Sequence, residues 1–178
     1  MKTSYEIRDA RGRLVARHVR LDAADGKRIW WEQPDGSTGL NGTRLEELPL
    51  YGADLVSDAG AGELIVVCEG EKAHDALEGV NIPAVGTVTD AAGTPGQQAL
   101  GVLRDRRVCL WPDNDGPGRA HMERIGQRLQ GVAAEVRIFT WHDAGNTSTA
   151  SLPRVWGTGL MERRVSRSTG VPMDDTTR

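Results

Sequence analysis

Three acidic residues stand where a parallel α/β chain could use them for chemistry. Glu69 lies in the segment EGEK, and Asp113 and Asp115 lie in PDNDGPG; each segment directly follows an apolar run, LIVVC or VCLW. Two carboxylates about 4 Å apart repel by roughly 4 kcal/mol at an effective dielectric of 20, so such a cluster is costly unless a cation joins it. Carboxylates with retained waters suit Mg²⁺ or Mn²⁺, which can neutralise a polyphosphate, activate a hydroxyl or stabilise a leaving oxygen. Plainer readings exist for each part. Glu69 could favour the positive end of the helix that follows, and Asp113 to Gly116 could be a simple turn. Their joint placement after two apolar strands points instead to one metal-binding phosphoryl-transfer site. A calcium loop is excluded, because Pro117 and Arg124 fall where the EF-hand needs oxygen ligands.

From Glu63 onward, short apolar runs alternate with helical patterns, which predicts a mostly parallel, Rossmann-like sheet flanked by helices. Leu64 to Cys68 is apolar without alternation, as a strand covered on both faces should be. Ala73, Ala76 and Leu77 suggest the apolar face of a short helix after it. Asn81 to Gly86 reads as a second strand, Thr94-Pro95 as the cap and first position of a helix reaching about Arg104, and Val108 to Trp111 as a third strand. Met122, Ile125 and Leu129 recur at helical spacing, and Val136 and Ile138 alternate with charged residues as an edge strand would. Ligands bind at the carboxyl ends of strands in such sheets, where Glu69 and the Asp113–Asp115 pair fall.

The first fifty residues differ. YEIRD, RLVARHVRL and KRIWWEQ, separated by turn residues, predict a small antiparallel β appendage over 1–50. Residues 51–62 read as a connection, 63–143 as the catalytic domain, and 144–178, poor in periodicity, as a flexible tail. The 178 residues carry a formal charge of −3, so no overall basic excess announces a nucleic-acid binder. Cys68 and Cys109 sit inside apolar runs without a CxxC pair, and are expected to be buried, reduced thiols; no zinc is expected in this chain. No leader-like or membrane-spanning stretch is present, which predicts a cytoplasmic protein. No GxxxxGK[ST] loop occurs, so no P-loop motor is expected within it.

VVCEGEKAHDAL, then PAVGT, then VCLWPDNDGPGRAHMERI resemble the TOPRIM domain, the fold shared by primases, topoisomerases and certain nucleases. EGEK together with DNDxxG is most similar to phage and plasmid primase or primase-helicase proteins. The resemblance implies that Glu69 is a general acid or base or a metal ligand, that Asp113 and Asp115 are the metal pair, and that Gly118 lets the following helix begin close to the site. It also implies Mg²⁺ or Mn²⁺, single-stranded DNA and nucleotides, with a helicase or zinc-binding module on another chain. Lys72 belongs to the EGEK element and could approach phosphate. The chain departs from the pattern at Ala73, where an acid is common and Asp75 is the nearest substitute, and after the last strand, where Asp143 is the available acid.

Arg13, Arg17, Arg20, Lys27 and Arg28 cluster near Trp30 and Trp31, a composition that could hold single strands by phosphate contact and stacking. The alternative has one Trp seating the appendage on the core and the arginines forming a solvated face. Arg119, beside the acidic loop, is the better placed phosphate candidate, whereas Arg104, Arg106 and Arg107 read as surface charges. His18, His74, His121 and His142 lack ligand spacing. The leading expectation is Mg²⁺-dependent synthesis of short primers; the alternatives are a metal-dependent nuclease and a non-catalytic nucleic-acid-binding or recruitment module.

Overall fold

Lys2–Arg8 (β1), Leu14–Ala23 (β2) and Gly26–Glu32 (β3) form an antiparallel meander in that order. The computed structural model describes residues 1–140 apart from Ala61 and Asp90; Trp141, His142, Asp143 and the predicted tail lie outside the described residues. Tyr5, His18 and Trp31 are cross-strand neighbours, so they share one face of the meander. Ile7 and Ala16 pair on that same face and are buried with Leu48 and Val88, and Trp31 packs against them. Trp31 is therefore the tryptophan that seats the small sheet. Trp30, one residue earlier, points the other way.

The segment after β3 does more than connect. Leu48, Leu50 and Val56 are fully buried, and Tyr51 exchanges two backbone hydrogen bonds with Gly86, both 2.9 Å. Arg106, expected at the surface, instead donates to the carbonyls of Ser57 (3.0 Å) and Gly60 (3.1 Å). Loop carbonyls leaving water need donors, and a guanidinium can serve two at once. Arg106→Ala should cost about 1–2 kcal/mol of stability, measurable as a lower urea midpoint with unchanged slope.

Leu64–Glu69 (β4), Gly70–Glu78 (α1), Ala84–Thr87 (β5), Gln97–Leu100 (α2), Arg107–Trp111 (β6), Gly116–Arg128 (α3) and Glu135–Ile138 (β7) build the second sheet. Its order is β5-β4-β6-β7 and every pairing is parallel. Ile65 to Cys68 of β4 are buried on both faces, which is why that run shows no alternation, while β7 at the edge stays half exposed. The chain moves from β4 to β5 on one side and returns past β4 to β6 on the other, placing the topological switch at the carboxyl end of β4, at Glu69. Val67, Val85 and Leu110 pack with Leu100, Leu103, Met122, Ile125 and Leu129 on one face of this sheet. The fold class read from the sequence, a parallel sheet with helices and a small antiparallel sheet, is the one observed.

Three local expectations fail. The helix after Thr94-Pro95 starts at Gln97, capped by Gly96, and tightens into a 3₁₀ turn at Gly101–Leu103. Thr94 cannot cap it, because its hydroxyl accepts from Arg124 Nε (3.1 Å) and its carbonyl from Arg128 (2.8 Å). Asn81 adopts φ 59°, a left-handed turn conformation, so β5 begins at Ala84. On α1 the buried residues are Glu71 and His74, while Ala76 is exposed. The polar face wins because it meets the N-terminal meander and the segment after it: Glu71 bonds His18 of β2, and His74 lies edge-on to Tyr51 at 4.6 Å. The described residues pack as one compact unit. No helix among the described residues is long and apolar enough to cross a membrane.

Candidate functional site

Glu69 closes β4 in register with Thr87 of β5, and Asp113 lies two residues past the end of β6. Glu69 Oε1 accepts the backbone N–H of Asp113 at 2.9 Å, which ties the PDNDGPG turn to the end of the central strand. Asp115 is the N-cap of α3: its Oδ1 accepts the N–H of Gly118 at 2.7 Å, with Pro117 in the first turn where no donor is missed. Gly118 is buried at the contact, and a Cβ there would stand 2.5 Å from Glu69 Oε1 and 3.0 Å from both the N and O of Asp113. Glu69, the Asp113 backbone and the first turn of α3 thus touch with no room for a methyl group.

The electrostatics follow from that contact. Burial pushes the Glu69 carboxyl up; the Asp113 N–H opposes this, and the charges of Asp113 and Asp115 add to the rise. Asp113 is raised by partial loss of solvent and by Asp115. The helix N-terminus favours negative charge but is worth at most about 1 kcal/mol here. Uncompensated negative charge therefore remains at the carboxyl edge of the sheet.

The donor set fits Mg²⁺ or Mn²⁺. All the donors are hard carboxylate oxygens, and the Asp113 carboxylate holds no hydrogen bond among the described residues. No group of three or more His, Cys, Asp or Glu is drawn together as a ready-made cage among the described residues. An ion there would have few protein ligands, Asp113 with Asp115 or Glu69, and would have to keep most of its water or take substrate oxygens. Millimolar Mg²⁺ or Mn²⁺ should raise the melting temperature by roughly 3–5 °C over an EDTA control, the effect of about tenfold saturation on a chain of this size.

Of the other predicted residues, Arg119 is exposed in the first turn of α3, next to Gly118. Lys72 is exposed, and its charge acts on Asp22 of the meander. Asp75 lies by Tyr51 and His74 (3.3 Å to Nδ1), and its charge is not among those acting on Glu69 or Asp113. Arg17 and Trp30 share the outer face of the meander, where Arg17 pairs with Glu6 (3.3 Å) and Trp30 donates to Glu32 (2.8 Å) under Lys2. Arg28 is exposed on β3. Asp143 lies outside the described residues.

Sequence reading missed the clamp on the β5–α2 loop. His121, Arg124 and Arg128 follow one another along α3 at helical spacing, offset by one from the apolar stripe. His121 Nδ1 meets the Gly93 carbonyl at 3.0 Å, Arg124 holds the Ala91 carbonyl and Thr94, and Arg128 holds the carbonyls of Thr94 and Pro95, both 2.8 Å. That polar stripe was the available signal.

No protein-family model matches the chain, and no curated protein matches it. Solved structures do. The DnaG catalytic core aligns with a TM-score of 0.60 at 20% identity, over 93% of this chain and 52% of that one. The DnaG primase catalytic domain bound to single-stranded DNA aligns with a TM-score of 0.57 at 20% identity, over 93% and 51%. A DNA primase domain from Pseudomonas aeruginosa aligns with a TM-score of 0.59 at 21% identity, over 93% and 50%. The chain thus spans about half the length of these structures and shares their TOPRIM-type fold.

Proposed function

We propose that this chain is a primase-type nucleotidyltransferase core, of the phage or plasmid kind, that makes short primers on single-stranded DNA. The observation that carries the proposal is the bond from the Asp113 N–H to Glu69 Oε1, which joins EGEK and PDNDGPG at the switch point of a sheet like that of DnaG cores. Asp113 and Asp115, with help from Glu69, would hold Mg²⁺ or Mn²⁺. That ion would supply charge neutralisation for the incoming triphosphate and its leaving pyrophosphate.

The protein's own groups have separate tasks. Glu69, raised by burial and by its acidic neighbours, is suited to accept the proton of the attacking ribose 3′-hydroxyl as the new bond to the α-phosphorus forms. Arg119, exposed in the first turn of α3, would offer a cation to the polyphosphate. The likeness to a domain described as bound to single-stranded DNA supports that template. Helicase and zinc-binding functions would come from other chains, in the cytoplasm.

The test supplies purified protein with a single-stranded template, nucleotides and Mn²⁺. Short labelled products that require every component support the reading, and their absence across templates removes it. Labelled DNA incubated without nucleotides separates hydrolysis from transfer, because cleavage there would make the protein a nuclease.

A further inference from the structure

Glu71, two residues beyond Glu69, is buried to 8% exposure, and its carboxylate meets His18 Nδ1 of β2 at 2.6 Å. The imidazole is fixed in turn: it stacks on Trp31 with ring centroids 4.4 Å apart and planes 13° from parallel. Burying a carboxylate against a half-buried imidazole is a poor way to gain stability, since an apolar pair of similar volume is often as good or better. What a hydrogen-bonded pair adds is register, because it forms at one rotation of a helix and no other.

The register set here is that of α1, whose N-cap is Glu69. The joint between them has little slack on one side. Gly86 of β5 lies so close that a Cβ there would be 2.7 Å from the Gly70 carbonyl and 3.4 Å from His74 Cβ. A rotation or slide of α1 would therefore be passed to the Gly70 peptide and to Glu69 rather than taken up by empty space.

We infer that His18 and Glu71 are positioning residues, through which the N-terminal meander sets the orientation of the Glu69 carboxylate. The inference rests on the proposed role of Glu69, yet it also predicts an effect on ion binding that needs no turnover. It makes the meander a working part of the acidic site, independent of any contact it makes with nucleic acid.

Two variants of the full chain separate hydrogen bond from packing. His18→Phe keeps a ring against Trp31 and loses the bond, whereas His18→Asn keeps a donor near the Nδ1 position and loses the ring. His18→Phe should weaken Mn²⁺ binding about tenfold by calorimetry and lower kcat for primer synthesis about tenfold, with KM for nucleotide nearly unchanged. His18→Asn should recover most of both, even if it melts lower. Equal Mn²⁺ affinity and kcat in His18→Phe and wild type, assayed well below their melting temperatures, would overturn the inference, as would a loss that follows melting temperature across the two variants. A wild type that binds Mn²⁺ but makes no primers would defeat the primase reading alone, because the Mn²⁺ comparison still decides the role of His18.

Discussion

Asp113→Asn is expected to lower primer synthesis by about 10³-fold while making the ion-free protein slightly more stable. The activity loss follows from removing the one site carboxylate without a hydrogen-bond donor among the described residues; ion-mediated charge stabilisation is worth several kcal/mol, and about 4 kcal/mol is a factor near 10³. The stability gain follows from the direction of the shift. Asp113 is raised in the folded protein by partial burial and by Asp115, so its ionised form is disfavoured there relative to the unfolded chain. Below the ordinary aspartate range both states are protonated and nothing is lost. As pH climbs from that range through the raised folded value, the cost appears, and it stays constant above. Asp113 is exposed, so solvent screening keeps the gain small. Melting curves in EDTA should place Asp113→Asn above wild type at pH 8, with the gap closing toward pH 3. The melting rise produced by Mn²⁺ should shrink in the variant. A variant that melts below wild type at pH 8 would mean that Asp113 is held by contacts of another kind.

The features legible in the sequence are those that periodicity and strand ends encode. Unbroken apolar runs at Leu64–Cys68 and Val108–Trp111 gave two parallel strands; β4 is buried on both faces as expected, whereas β6 alternates and leaves Cys109, expected to be buried, half-buried. The carboxylates just past their ends do fall at one edge of the sheet, where Glu69 meets the Asp113 backbone. Alternation around Val136 and Ile138 gave the edge strand. The face of α1 was not legible, because Ala73, Ala76 and Leu77 form a regular stripe whose apolar area is small. Tertiary contacts from β2 and Tyr51 therefore decide which side is buried. Thr94-Pro95 carried a strong capping signal and lost it to arginines thirty and thirty-four positions away. Local rules weigh neighbours along the chain, and both errors come from partners brought in by the fold. The same limit hid the bond between Glu69 and the Asp113 backbone: sequence could put the two segments at one edge but could not say that a carboxylate was already engaged with the turn.

That engagement makes Gly118→Ala the sharper probe of the site. A methyl group at Gly118 would fall 2.5 Å from Glu69 Oε1, closer than Cβ atoms come, and 3.0 Å from the Asp113 N and O, tighter than most such contacts. The Glu69 carboxylate can swing away, but the Asp113 backbone is part of a turn and must shift with it, breaking the 2.9 Å bond that joins them. Gly116, at the start of the same helix, has open space where its Cβ would be and supplies the matched control. Alanine is a better helix former than glycine by about 1 kcal/mol. Gly116→Ala should therefore be neutral or slightly stabilising and fully active. In Gly118→Ala the same helical gain offsets part of the steric cost, so its melting temperature should fall only a few degrees. Activity is a different matter, since displacement of a catalytic group by about 1 Å can cost roughly 10²-fold. Primer synthesis and Mn²⁺ affinity should both drop by about that factor in Gly118→Ala and in neither case for Gly116→Ala. Were the two alanine variants to behave alike, the close contact between the first turn of α3 and Glu69 could not be what shapes this site. The activity would then have to depend on the Asp113 and Asp115 side chains without the glutamate.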